Sequence, residues 1–272
     1  MIPEHSENDR LTFFGHLDVL RKHLVRILIY LCFGAVAAFM VKSFLFDQLL
    51  FAPSKPMFPS NMLLCRLSQS LNIPTLCINQ HPPVLVNLQM AGQFRMHIFV
   101  SLIAGFILAF PLIMREIFVF TAPAFSSSVK RKTLKWIIWI CLLFLLGVLC
   151  GYYLITPFAI DFLVNYSVSE TVTNTIALDS YVITISSLTL ACGLVFELPV
   201  LIYFLAVNGI ITPALMRTYR RHAIILIFLV AAIITPPDVV SQVLTGLPLY
   251  AMYEISIYIA SIARRKNAPA AG

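Results

Sequence analysis

Long apolar runs recur along this chain, and they constrain its fold more than any motif does. Crossing roughly 30 Å of hydrocarbon takes about 20 apolar residues at about 1.5 Å of helical rise each. Runs at roughly 25–46, 94–120, 136–156, 181–208 and 239–263 approach or exceed that length, and a shorter one covers roughly 223–234. With 60% of the 272 residues hydrophobic and 11% charged, a water-soluble core could not bury them. The expected fold is an all-α polytopic membrane protein with six transmembrane helices. It forms one membrane domain over 1–272, with its largest extramembrane piece at 47–93. The polar start MIPEHSENDR precedes an apolar run too long for the h-region of a cleaved leader, so the first span is expected to remain as a helix.

The formal charge of +7 does not point to nucleic acid, because the basic residues fall in short clusters between the runs. Arg10, Arg21, Lys22 and Arg26 surround the entry to the first span. Lys130, Arg131, Lys132 and Lys135 separate the second from the third, Arg217, Arg220 and Arg221 the fourth from the fifth, and Arg264, Arg265 and Lys266 follow the sixth. The connections 157–180 and 235–238 hold no Lys or Arg, whereas 47–93 carries Lys55 and Arg66. Basic loops stay inside, so three clusters outweigh those two residues and both termini are expected to be cytoplasmic.

No nucleotide loop, HExxH zinc site, paired CxxC or nucleophile arrangement is visible, so neither an enzyme nor a cofactor site is expected. Cys32, Cys141, Cys150 and Cys192 lie inside apolar runs and read as packing residues. Cys65 and Cys77 lie in the long connection, on the oxidising side if the topology holds. Two separate thiols remain open there; a bond between them is the expectation.

Two polar intrusions stand out. In ITPPDVVSQ (234–242), Thr235 is placed to cap a helix, Pro236 to occupy its first position, and Asp238 to sit three residues after the cap. Only about a dozen apolar residues precede this start, or roughly 18 Å of helix. The hairpin should therefore dip toward the membrane and bring Gln242 to the hydrocarbon boundary. Thr212-Pro213 repeats the cap signal, and predicts a basic interfacial helix running from Pro213 into the fifth span. The second intrusion is Glu197, near the middle of the fourth span, where a carboxyl costs about 2.5–3.5 kcal/mol on insertion scales. It should face protein or water, and Pro199 nearby should leave the Val195 carbonyl without a helical partner. A protonated, hydrogen-bonded structural Glu is the plainer alternative. Pro111, Pro157 and Pro248 also fall within apolar runs, and Glu254 is expected to pair or snorkel toward the inner side.

The stretches HLDVLRKHL (16–24), PLIMREIFVFTAPAF (111–125), FELPV (196–200) and ITPPDVVSQVLTGLPLYAMYEI (234–255) resemble, in order and spacing, the motifs of the TatC family, core subunits of the twin-arginine protein translocase. The resemblance implies six helices forming a concave, glove-like wall in the bacterial inner membrane. It also implies a receptor for twin-arginine signal peptides of folded cargo, driven by the proton-motive force. TatA/TatB-type single-span proteins would be its partners, and it would form an oligomer of itself within the receptor complex.

By matching position, the resemblance assigns Glu197, Thr235 and Gln242 to partner docking, and Leu20, Arg21, Phe120, Pro123 and Phe125 to the signal-binding face. Pro53 and Asp238 match outer-face positions. Two family glutamates are replaced here, by Val19 and Val129. A carboxylate accepts two parallel hydrogen bonds from a guanidinium and valine accepts none, so Asp18 and Glu116 become the candidate acceptors. The alternative from another class is a proton-coupled small-solute transporter using Glu197; such folds usually show internal repeats, and none is evident here.

Overall fold

The computed structural model describes residues 13–73, 77–121, 133–167, 169, 174–234 and 239–267. The first span is α1 (Phe13–Met40), continued by a π-helical segment, Phe44–Leu50, and a 3-10 turn, Ala52–Ser54. The long connection then forms α2 (Pro59–Leu71) and a short strand β1 (Leu85–Val86) before α3 (Gly92–Thr121). Next come α4 (Thr133–Cys150), a π turn at Gly151–Ile155, α5 (Thr156–Asn165) and β2 (Ile176–Ala177). The remaining helices are α6 (Leu178–Val195), α7 (Leu198–Val207), α8 (Pro213–Thr218), α9 (Arg220–Ile234) and α10 (Val239–Asn267).

Among the described residues, four helical stretches are long and apolar enough to cross a bilayer: Leu17–Met40, Gly92–Thr121, Leu134–Asn165 and Leu178–Val207. The all-α polytopic class is therefore as expected. The 15-residue α9 is short, as read from the sequence, and the 29-residue α10 is long but carries Gln242 and Glu254.

Three boundaries differ from expectation. The third apolar helical stretch continues to Asn165, past the expected span end near 156. The π turn lets the chain pass Pro157 without a break: the Thr156 hydroxyl donates to the Gly151 carbonyl at 2.9 Å, and the proline sits in the first turn of α5, where its missing N–H is least missed. The fourth span is two helices. The Glu197 N–H bonds back to Leu194 O at 3.1 Å, three residues away, and α7 restarts with Pro199 in its first turn. The segment from Pro213 is also not one helix. Thr212 caps α8 as expected, its Oγ1 accepting from the Leu215 N–H at 3.2 Å, but the helix stops at Tyr219 before α9 begins.

Close helix approaches are made at glycines. A Cβ on Gly34 would lie 2.7 Å from Gly105 O, so α1 and α3 cross backbone to backbone. Gly147 meets the Cys192 carbonyl in the same way and brings α4 onto α6. Above the first crossing, Ala38, Leu45, Met96, Val100 and Val182 pack together; below it, Phe110 stacks on Phe144 with ring centroids 3.6 Å apart. A third cluster joins α7, α8 and α10 through Ala206, Met216 and Ile257. Phe33, Met40 and Ile233 are each more than three-quarters exposed, as lipid-facing positions would be.

Candidate functional site

At the end of α1 near the chain start, His23, Arg26 and Tyr30 follow one another at intervals of three and four residues, which puts them on one helical face. The Gly34–Gly105 approach presses that face against α3, where Glu116 is 4% exposed. His23 Nδ1 lies 2.6 Å from Glu116 Oε2, Arg26 Nη1 lies 3.6 Å from the same oxygen, and the Tyr30 hydroxyl donates to Oε1 at 3.5 Å. Phe120, one turn beyond, sets its ring edge-on to His23 at 5.8 Å. Glu116, a candidate acceptor in the sequence, is enclosed and bonded within the chain.

Asp18 is different. It is exposed, and its only ion pair among the described residues is with Lys22, one turn along, at 3.2 Å. Such an exposed pair contributes little and opens easily. Arg21 is exposed, Leu20 and Val19 are half-buried, and with Asp18 they share this end of α1 with the His23–Glu116 pair. Phe125, Pro123 and Val129 lie outside the described residues.

Glu197 sits at the α6–α7 break and approaches α4 near Cys141 and Phe144. Its Oε1 is buried and has no hydrogen-bond partner among the described residues. A buried carboxyl oxygen in that condition is costly unless something brought to it supplies a donor. Gln242 takes a different part: its Nε2 donates to the Phe228 carbonyl at 2.9 Å, tying the start of α10 to α9. Gly246, one turn on, lets Phe228 pack against α10, where a Cβ would lie 3.0 Å from the ring. Thr235 and Asp238 lie outside the described residues. Glu254 pairs with Arg220 Nη2 at 2.7 Å and accepts from the Tyr250 hydroxyl at 2.9 Å.

The long connection 47–93 is organised by buried side chains with no local sequence signal. Asn61, 1% exposed, donates from Nδ2 to Pro53 O at 3.0 Å and to Lys55 O at 2.9 Å, and its Oδ1 accepts from Asn79 Nδ2 at 3.3 Å. Asn79 also donates to Pro157 O at 2.9 Å and, through its backbone N–H, to Asp161 Oδ1 at 2.7 Å. Pro53 is buried, and Cys65 is bonded to Cys77 with their Cα atoms 4.2 Å apart. Parallel pairing of Leu85 with Ile176 and Val86 with Ala177 ties the connection to the approach of α6.

The family model described as "Sec-independent protein translocase protein (TatC)" matches residues 15–248. The chain belongs to the TatC family. Its relatives include the Sec-independent protein translocase protein TatC of a Blattabacterium from Periplaneta americana, 31% identical over 96% of this chain and 99% of that protein. The TatC of Aquifex aeolicus is 32% identical over 93% of this chain and 95% of that protein. The crystal structure of a twin arginine translocase receptor TatC superposes with a TM-score of 0.73 and 31% identity, over 92% of this chain and the whole of that one. The protein is thus a bacterial membrane protein and a subunit of the Sec-independent protein translocase, a transport component. The small-solute transporter reading falls away.

Proposed function

We propose that this TatC-family chain receives twin-arginine signal peptides at the exposed end of α1 and docks single-span TatA/TatB-type partner helices beside Glu197. One observation carries the signal-binding half: at the α1–α3 junction the buried Glu116 is already bonded to His23, which leaves Asp18 as the accessible carboxylate there among the described residues. In this reading Glu116 is a positioning residue that holds Leu20, Arg21 and Phe120 on one cytoplasmic surface, and Asp18 accepts the guanidinium. A single exposed acid next to Val19 gives weaker, less arginine-selective reading than two carboxylates would. Phe125 is proposed to complete the apolar side of that surface.

Partner docking rests on the unpartnered Glu197 oxygen, which a polar group on an incoming helix would satisfy. Gln242 and Thr235 would frame the same membrane region, with Gln242 keeping the short α9 against α10. Pro53 and Asp238 belong to the outer face, and both termini lie in the cytoplasm of the inner membrane. The chain acts as an oligomer of itself within a receptor complex, working with the proton-motive force. The test is site-specific crosslinking from Asp18, Leu20 and Phe120 to a twin-arginine signal peptide in native membranes. Adducts that disappear when the peptide lacks its arginines are expected; crosslinks independent of them would defeat the reading.

A further inference from the structure

The first outer helix, α2, has three sides with different characters. Successive residues turn by about 100° around a helix. Asn61 and Ser68 fall on one side and are buried against the outer connection. Leu63, Leu67 and Leu71 fall on an adjacent side, in line with Ser60, and are 60%, 44% and 59% exposed. Arg66 and Gln69 lie beyond that stripe and are exposed, and α2 contains no acidic residue. An apolar stripe of this regularity, bounded by a basic residue, is the pattern of a helix lying in a membrane surface.

The depth of α2 agrees with that pattern. Pro157 lacks the N–H that would reach back to the Tyr153 carbonyl, and the Ser60 hydroxyl donates to that carbonyl instead. Phe58, the cap of α2, stacks on the Tyr153 ring at 5.2 Å and meets Tyr152 edge-on at 5.5 Å. Tyr153 is 19 residues along the third span from Leu134, about 28 Å at 1.5 Å per residue, so α2 is held where a hydrocarbon layer of about 30 Å ends. Tyrosines at that level mark membrane boundaries. Leu149 and Leu154, on the same part of the third span, are exposed as well, so the α2 stripe is continuous with a lipid-facing surface.

We infer that α2 is an interfacial anchor, its Leu63–Leu67–Leu71 stripe seated in the acyl chains of the outer leaflet and Arg66 at the level of the phosphates. The inference rests on the membrane-spanning reading of α4 and α5. The Cys65–Cys77 bond lies on the flank away from the stripe and fixes the roll of the helix, so the leucines stay turned to the lipid.

The experiment places the photoreactive residue p-benzoylphenylalanine singly at Leu63, Leu67, Leu71, Arg66, Gln69 and, as a lipid-facing reference, Phe33 in the full chain in native membranes. Adducts are identified by mass after irradiation. Phospholipid adducts at the three leucine positions, comparable to Phe33 and several-fold above Arg66 and Gln69, are the expected result. Adducts to a second copy of the chain or to another protein at those positions would overturn the inference, as would a yield no higher than at Arg66. Failure at Phe33 as well would overturn the spanning reading itself.

Discussion

Removing the His23 imidazole while leaving Glu116 in place would leave a buried carboxylate with poorer company. The two side chains are 11% and 5% exposed, and their contact is a short bond of 2.6 Å. A hydrogen bond to a charged group contributes about 1.5–3 kcal/mol, and losing one partner of a buried pair costs about 3–5 kcal/mol. Arg26 would remain, but at 3.6 Å and with more than half its side chain exposed it offsets at most about 1 kcal/mol. His23→Leu should therefore lower stability by roughly 2–4 kcal/mol. Glu116→Leu should cost less, because it removes the buried carboxylate itself and leaves no unpaired acid behind. The double replacement should recover much of the loss, since an apolar pair of similar volume leaves nothing unsatisfied. Reversible unfolding in mixed micelles, run as a double-mutant cycle, measures this directly. Simple additivity of the two single losses would refute the claim that this pair joins α1 to α3.

Asn61→Ala should open the outer connection, because it strands the Pro53 and Lys55 carbonyls and the Asn79 amide at about 1–3 kcal/mol each; faster limited proteolysis within 47–93 would register it, and an unchanged rate would not fit. Glu197→Ala and Gln242→Leu should each weaken partner crosslinking by an amount typical of intramembrane polar contacts, about 0.6–2 kcal/mol, while the protein still folds; undiminished crosslinking would remove the docking role. Cys65 and Cys77 should resist alkylation in protein prepared without reductant, and mass spectrometry finding both as free thiols would contradict the pairing.

Hydropathy made the spans legible because membrane insertion acts on long windows, and windows average over local detail. The same averaging hid the ends. Pro157 reads as a stop, yet a π turn and the Thr156 hydroxyl carry the helix on to Asn165. The Glu197 break was foreshadowed by an acid and a proline two residues apart, a local signal. Glu116 was singled out, but its partner His23 was not, because 93 residues separate them and a histidine at a span entrance has no local signature. The α1–α3 glycine crossing that joins them is equally silent in sequence. Asn61 and Asn79 carry no local signal for the same reason: Asn79 and its partner Asp161 lie 82 residues apart and only the folded connection brings them together.

We propose that this chain reads paired arginines through Asp18, without the two family glutamates that Val19 and Val129 replace. Signal-peptide affinity should be measured at fixed salt on the native chain, on Asp18→Asn, and on Val19→Glu combined with Val129→Glu. Charge-assisted hydrogen bonds contribute about 1.5–3 kcal/mol each when partly desolvated, and about 1.4 kcal/mol is one decade of affinity, so two restored glutamates should tighten binding more than tenfold. Asp18→Asn should weaken the native chain and erase its preference for Arg-Arg over Lys-Lys. Tight, arginine-selective binding by the native chain, indifferent to Asp18→Asn and to the added glutamates, would contradict the account.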